Sequence, residues 1–217
     1  MKTVAVDLLR RRLLAASALW IGGSVLIPVA RALGGVRAPT PANALGPFYP
    51  RHPPAEVDAD LAVVEGQRGR AAGTPLSVSG RVLDRHGRAI AGARIEVWQA
   101  NAYGRYHHPG DGNASGPLDP AFQGYALLHS GGNGSFRFAS VMPGPYTGRT
   151  PHIHYLIDAA GTRLVTQMFF AGEPRNAEDF LYAALPDAGR VAATAIDVAA
   201  PAAGGRAVQW DIVLATG

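Results

Sequence analysis

The chain has 217 residues, 47% of them hydrophobic and 17% charged, with 27 Gly, 17 Pro and no Cys. Without cysteine there is no disulfide scaffold, thiolate zinc site, iron–sulfur cluster or cysteine nucleophile, so any metal must be held by nitrogen and oxygen. The formal charge of +4 resides in residues 1–32, where Lys2, Arg10, Arg11, Arg12 and Arg31 face only Asp7. The other 185 residues carry fifteen basic and fifteen acidic side chains, which leaves no basic stripe for nucleic acid.

Residues 1–32 have the build of an export signal. Arg10-Arg11-Arg12 precedes an apolar stretch from Leu13 to Val29, and Ala30-Arg31-Ala32 places small residues at the two positions that define a cleavage site. Paired arginines ahead of Leu13-Leu14 resemble the twin-arginine signal, whose cargo crosses the membrane already folded. An ordinary secretory signal or an uncleaved anchor is the alternative. The expectation is an exported bacterial protein, periplasmic or extracellular, that meets a membrane only during export.

Residues 33–75 are rich in Pro, Ala and Gly and hold no sustained period, which predicts an irregular N-terminal arm. From Leu76 the period becomes two: Leu76, Val78 and Val82 alternate with Ser77, Ser79 and Arg81, the pattern of a half-buried strand. His86-Gly87 reads as a turn and Ile95-Glu96-Val97-Trp98 as a second strand. Asn133-Gly134 reads as a hairpin turn leading into Phe136-Arg137-Phe138. Further strands are expected over residues 152–158, 164–170 and 208–214, with one short helix capped by Asn176 and running through Phe180 to Leu185. Residues 76–217 are thus expected to form an antiparallel β-sandwich of seven to nine strands with long active-site loops. Taken that far, a secreted, non-enzymatic binding module of the transthyretin-like or carboxypeptidase-regulatory kind fits as well as an enzyme.

The residues that carry chemistry begin with His152-Ile153-His154. Strand alternation puts both imidazoles on one face and Ile153 on the other, which makes half a metal site. None of the seven histidines lies beyond position 154, which disfavours a cupin site, where a further histidine follows downstream. Asp158 shares that face but sits far along the strand. Tyrosine is the better candidate: Pro143-Gly144-Pro145 is a stiff turn holding Tyr146, and Gly104-Arg105-Tyr106 follows the end of the Trp98 strand. A phenol, with an ordinary pKa near 10, becomes a hard anionic donor when a trivalent cation coordinates it.

Several stretches together resemble the intradiol ring-cleavage dioxygenases, non-haem Fe(III) enzymes of the protocatechuate 3,4-dioxygenase kind. They are Thr40-Pro41 with Gly46-Pro47-Phe48-Tyr49; Gly80 to Asp84; Ala93 to Tyr106; Phe136-Arg137-Phe138; Pro143 to Tyr146; Arg149 to His154; and Thr166-Gln167-Met168. They follow the family's order over residues 40–172. The resemblance implies Fe(III) as cofactor, with Tyr106 and His152 as equatorial ligands and Tyr146 and His154 as the axial pair. It implies a small aromatic diol and O₂ as reaction partners, and a muconate-type diacid as product. It makes Arg149 the active-site arginine and gives catalytic parts to Tyr146, as the ligand that leaves and takes a substrate proton, and to Gln167.

Two departures bear on substrate and assembly. Only five residues separate Tyr146 from His152, fewer than in protocatechuate enzymes, so a pocket shaped for protocatechuate does not follow. The 43 residues from 33 to 75 lack the helical pattern that the resemblance associates with dimerisation in the catechol and hydroxyquinol branches. An oligomer of another kind is compatible with the sequence.

Overall fold

Strand β1, Pro75–Leu83, shows why this chain makes sheet: Leu76, Val78, Gly80 and Val82 are buried while Pro75, Ser79 and Arg81 face solvent, the period of two that one wet and one dry face demand. The computed structural model describes residues 35–112, 116–202 and 204–217; the proposed export signal lies outside them. The other strands are β2 (Arg94–Trp98), β3 (Tyr125–His129), β4 (Ser135–Val141), β5 (His152–Ala159), β6 (Thr162–Phe170), β7 (Thr194–Val198), β8 (Arg206–Gln209) and β9 (Ile212–Val213). They join in one mixed sheet, in the order β3-β2-β5-β6-β7-β8-β1-β4, with β9 beside β1.

The expected antiparallel arrangement is corrected at three pairings, because β6–β7, β1–β8 and β1–β9 run parallel. A parallel neighbour requires a crossover. Between β6 and β7 it is built from a 3₁₀ turn, Pro174–Glu178, and two short helices, α1 (Phe180–Ala183) and α2 (Asp187–Ala193). The single helix expected from sequence is therefore corrected to two. Asn176 does not cap it, since its amide donates to the Phe170 carbonyl at 2.8 Å. Asp179 is the cap, accepting from the Leu181 and Tyr182 amides, and Pro186 ends the first helix by disfavouring helical backbone before it.

The hairpin expected at Asn133-Gly134 is also corrected. β3 pairs with β2, and β4 with β1, so this turn bridges separate parts of the sheet instead of joining paired neighbours. Gly134 is needed there for a different reason: its φ is +77°, and a Cβ would lie 2.6 Å from the Val82 carbonyl, whose amide in turn donates to the Gly134 carbonyl.

The two halves of the sheet share one apolar core. Val78 and Val82 of β1 and Phe136 and Phe138 of β4 meet Ile95 and Val97 of β2 and Ile153, Tyr155 and Ile157 of β5. Tyr155 is central, with its ring centroid 6.3 Å from Phe138 and 4.9 Å from Trp210. The opposite face of β2, β3 and β5 presents Trp98, Tyr125 and Leu156, and the arm covers it with Phe48, Tyr49 and Val57. The arm is tied strand by strand: the Asn43 amide donates to Val165, the Leu127 amide to Val57, and the Leu61 amide to Ala139. The described residues consequently form one compact unit.

Candidate metal centre

Strand β5 is buried on both faces, and its alternation sorts two kinds of side chain. Ile153 enters the shared core, whereas His152 and His154 point to the arm-covered face. In-register pairing places Trp98 of β2 and Gln167 of β6 on either side of His154. Tyr146 reaches the same spot by a tight turn: the Arg149 amide donates to the Tyr146 carbonyl at 2.8 Å, with Gly148 at φ +71°. Tyr106 comes from the loop after β2, where the Asp111 carboxylate accepts its amide at 2.7 Å.

These four side chains converge. His152 Nε2 lies 3.1 Å from His154 Nε2 and 3.2 Å from Tyr146 Oη. The Tyr106 ring stands edge-on to Tyr146 and His154, with centroids 5.6 and 6.2 Å away. His152 Nδ1 is 2.6 Å from the Thr150 carbonyl, an acceptor only, so Nδ1 carries the proton and Nε2 offers its lone pair. Among the described residues the buried Tyr106 hydroxyl finds no hydrogen-bond partner of good geometry.

The donor nitrogens are held neutral, with lone pairs free to coordinate. Burial, and then Arg149, pushes His152 down to about 3; burial, then His152 and Arg149, holds His154 well below its usual range. Protons therefore do not compete for these nitrogens near neutral pH. Burial raises both phenols, Tyr106 well above its ordinary value with Tyr146 adding to the effect. Without a cation they stay protonated, and direct coordination reverses that preference. Among the described residues no three of His, Asp and Glu gather as a metal site, so phenol oxygens are what can complete this one. Asp158, weighed from sequence as a carboxylate ligand, instead pairs with Arg163 at 2.7 Å.

The Arg149 side chain, 9% exposed, lies against the cluster. Its Nη1 donates to Tyr146 Oη at 3.4 Å and its Nη2 to Gln167 Oε1, while Gln167 Nε2 donates to the Ala44 carbonyl at 3.2 Å. All six residues singled out from sequence are thus brought to one place. Two neighbours were missed. Asp179 binds Arg149 Nε at 2.8 Å; its sequence signal, an acid just before Phe180-Leu181-Tyr182, suggests a helix cap and nothing more. Gly46, at φ +79°, passes so close that a Cβ would lie 3.1 Å from His154 Cε1.

A sequence profile of the family described as dioxygenase matches residues 45–216. The chain belongs to the intradiol ring-cleavage dioxygenases. It is 38% identical over 153 residues to the protocatechuate 3,4-dioxygenase beta chain of Burkholderia cepacia, covering 66% of this chain and 65% of that one. It is 32% identical over 203 residues to hydroxyquinol 1,2-dioxygenase of Nocardioides simplex, covering 81% and 64%. It therefore spans just under two thirds of these curated relatives. Among solved structures it resembles the dioxygenase domain of a dioxygenase–carbohydrate-binding fusion from Streptomyces sp. SirexAA-E, at 32% identity and a TM-score of 0.65, covering 83% of this chain and all of that one. The matches do not favour the binding-module alternative.

Proposed function

We propose that this intradiol-family chain is an Fe(III)-dependent enzyme that opens a catechol-type ring between its two hydroxylated carbons. Both atoms of O₂ enter the product, a muconate-type diacid. The observation that carries this reading is that His154 Nε2 and Tyr146 Oη both lie within 3.2 Å of His152 Nε2, beside the buried Tyr106 hydroxyl. Two neutral imidazoles and two ionised phenols suit a hard trivalent ion. Fe(III) held there would supply the Lewis acidity that binds an ortho-diol as its dianion and primes the ring for O₂.

The chain's own residues then have distinct tasks. Tyr146 Oη is the proton acceptor when the diol ionises, since it lies within reach of Arg149 and at the edge of the cluster. Arg149 keeps its charge at any working pH and faces the electron density that builds on the ring. Gln167 holds one arm of that guanidinium. Phe48, whose ring centroid is 4.7 Å from that of Tyr106, and Trp98 keep bulk water from the donor cluster, which strengthens every charge interaction inside it. The two halves of the sheet act as the layers of a β-sandwich that holds β5 rigid, and the sequence of residues 1–32 supports export by the twin-arginine route.

Protein loaded with Fe(III) should be red from phenolate-to-iron charge transfer and should take up one O₂ per diol, with catechol, protocatechuate, hydroxyquinol and chlorocatechols as the panel. A colourless, iron-free preparation without oxygen uptake on any of them overturns the reading. For export, Arg11→Lys with Arg12→Lys should leave the protein in the cytoplasm with residues 1–32 attached. Normal processing of that variant overturns the route.

A further inference from the structure

We propose that Asp179 is the positioning residue of the site, acting through Arg149; the proposal rests on the part given to Arg149 above. Asp179 is 1% exposed, and each of its oxygens accepts two N–H groups. Oδ2 takes Arg149 Nε at 2.8 Å and the Thr150 amide at 3.0 Å. Oδ1 takes the Leu181 and Tyr182 amides at 2.9 and 3.2 Å.

A guanidinium is planar, so fixing Nε fixes the directions of the other two nitrogens. With Nε held by Asp179, Nη1 is aimed at Tyr146 Oη and Nη2 at Gln167 Oε1. Phe180, 65% exposed, lies against the same guanidinium with 5.6 Å from Cζ to its ring centroid. Among the described residues no other group accepts a hydrogen bond from Nε. Released from Asp179, Arg149 would be free to turn along exposed Phe180 toward solvent, where hydration of its charge is favoured. The carboxylate also offsets the cost of keeping that cation dry. Because it sits at the Nε end, the positive edge of the pair is left facing the donor cluster. The arrangement explains why a helix cap this deeply buried is an acid, when Ser, Thr or Asn would serve the helix equally well.

Asp179→Ser keeps an oxygen for the helix amides but removes the partner of Arg149. In iron-loaded protein it should lower kcat about 10- to 100-fold, with iron content kept and KM changed by less than about threefold. In the Arg149→Ala background the same change should cost less than about twofold, because residues acting as a unit are not additive. A second readout needs neither metal nor turnover. In metal-free protein the Arg149 Nε–H signal in a ¹⁵N–¹H spectrum, assigned by its absence in Arg149→Ala, should exchange slowly in wild type and rapidly in Asp179→Ser. Should Asp179→Ser not fold, the isosteric Asp179→Asn carries the same comparisons. Wild-type turnover in the variant, an equal loss in the Arg149→Ala background, or a fast-exchanging wild-type Nε–H each overturns the proposal. If no diol is turned over at all, the functional reading fails by itself, and the exchange experiment still decides whether Asp179 holds Arg149.

Discussion

Trp98 lies flat on His154: their ring centroids are 4.9 Å apart and their planes are 10° from parallel. The two residues are in register on neighbouring strands, so the pair is built into the sheet and not left to a loop. The Trp98 indole nitrogen has no hydrogen-bond partner among the described residues, which means that ring contact and burial hold it there. The imidazole plane, and with it the direction of Nε2, is fixed by that contact.

Trp98→Ala should therefore do two things. Removing so large a buried ring costs about 3–5 kcal/mol of stability, measurable by thermal or denaturant unfolding. It should also slacken His154 and lower iron content. Trp98→Phe should recover most of the stability while iron still binds more weakly than in wild type.

His152→Ala and His154→Ala should each strip most of the iron, because each removes a neutral donor that no proton contests. Tyr146→Phe should retain iron while slowing turnover and shifting the colour. Metal analysis with visible spectra checks both. Complete iron loss in Tyr146→Phe, with retention in Tyr106→Phe, would reverse the parts assigned to the two tyrosines.

Arg149→Ala should keep iron, colour and diol binding but lose at least about a hundredfold in kcat, the usual loss on removing one preorganised charge or donor. It should also destabilise the fold by about 3 kcal/mol, since Asp179 then becomes a buried carboxylate without its cation. Turnover within a few-fold of wild type would reduce Arg149 to a structural partner of Asp179.

Glu96 tests how the arm is held. It is buried, accepts the Tyr49 and Tyr125 hydroxyls at 2.8 and 2.9 Å, and pairs with Arg94. Glu96→Ala should cost about 1–3 kcal/mol by leaving the two hydroxyls without their acceptor, since Arg94 is 38% exposed and keeps Asp158 nearby. It should also expose the chain near Phe48 and Tyr49 to limited proteolysis. An unaltered cleavage pattern would mean that the arm's backbone bonds suffice without Tyr49.

Much of the site was legible in the chain itself. His152 and His154 share a face because successive strand residues alternate, and Ile153 between them goes to the core for the same reason. Pro143-Gly144-Pro145 is stiff enough to mark Tyr146 as a placed residue. The motifs from Thr40 to Met168 carried the family, which the profile match bears out. Illegible were the pairings: a Gly turn at position 134 looks the same whether it closes a hairpin or arches between two sheet halves. The arm was illegible too, because Phe48, Tyr49 and Val57 pack one at a time onto a surface made elsewhere and leave no period.

Local rules act over one turn or one strand, and they marked β1, β2, β4, β5 and β6, the facing histidines and the absence of thiolate chemistry, while the motifs marked the family; β3 and β7 went unread, and the strand expected over residues 208–214 is divided into β8 and β9. Only the tertiary structure decided the parallel pairings, the closing of the arm over Trp98, and the link between Arg149 and an acid 30 residues downstream. Those depend on which surfaces meet, and a buried charge reveals its partner only when the chain between them has folded back.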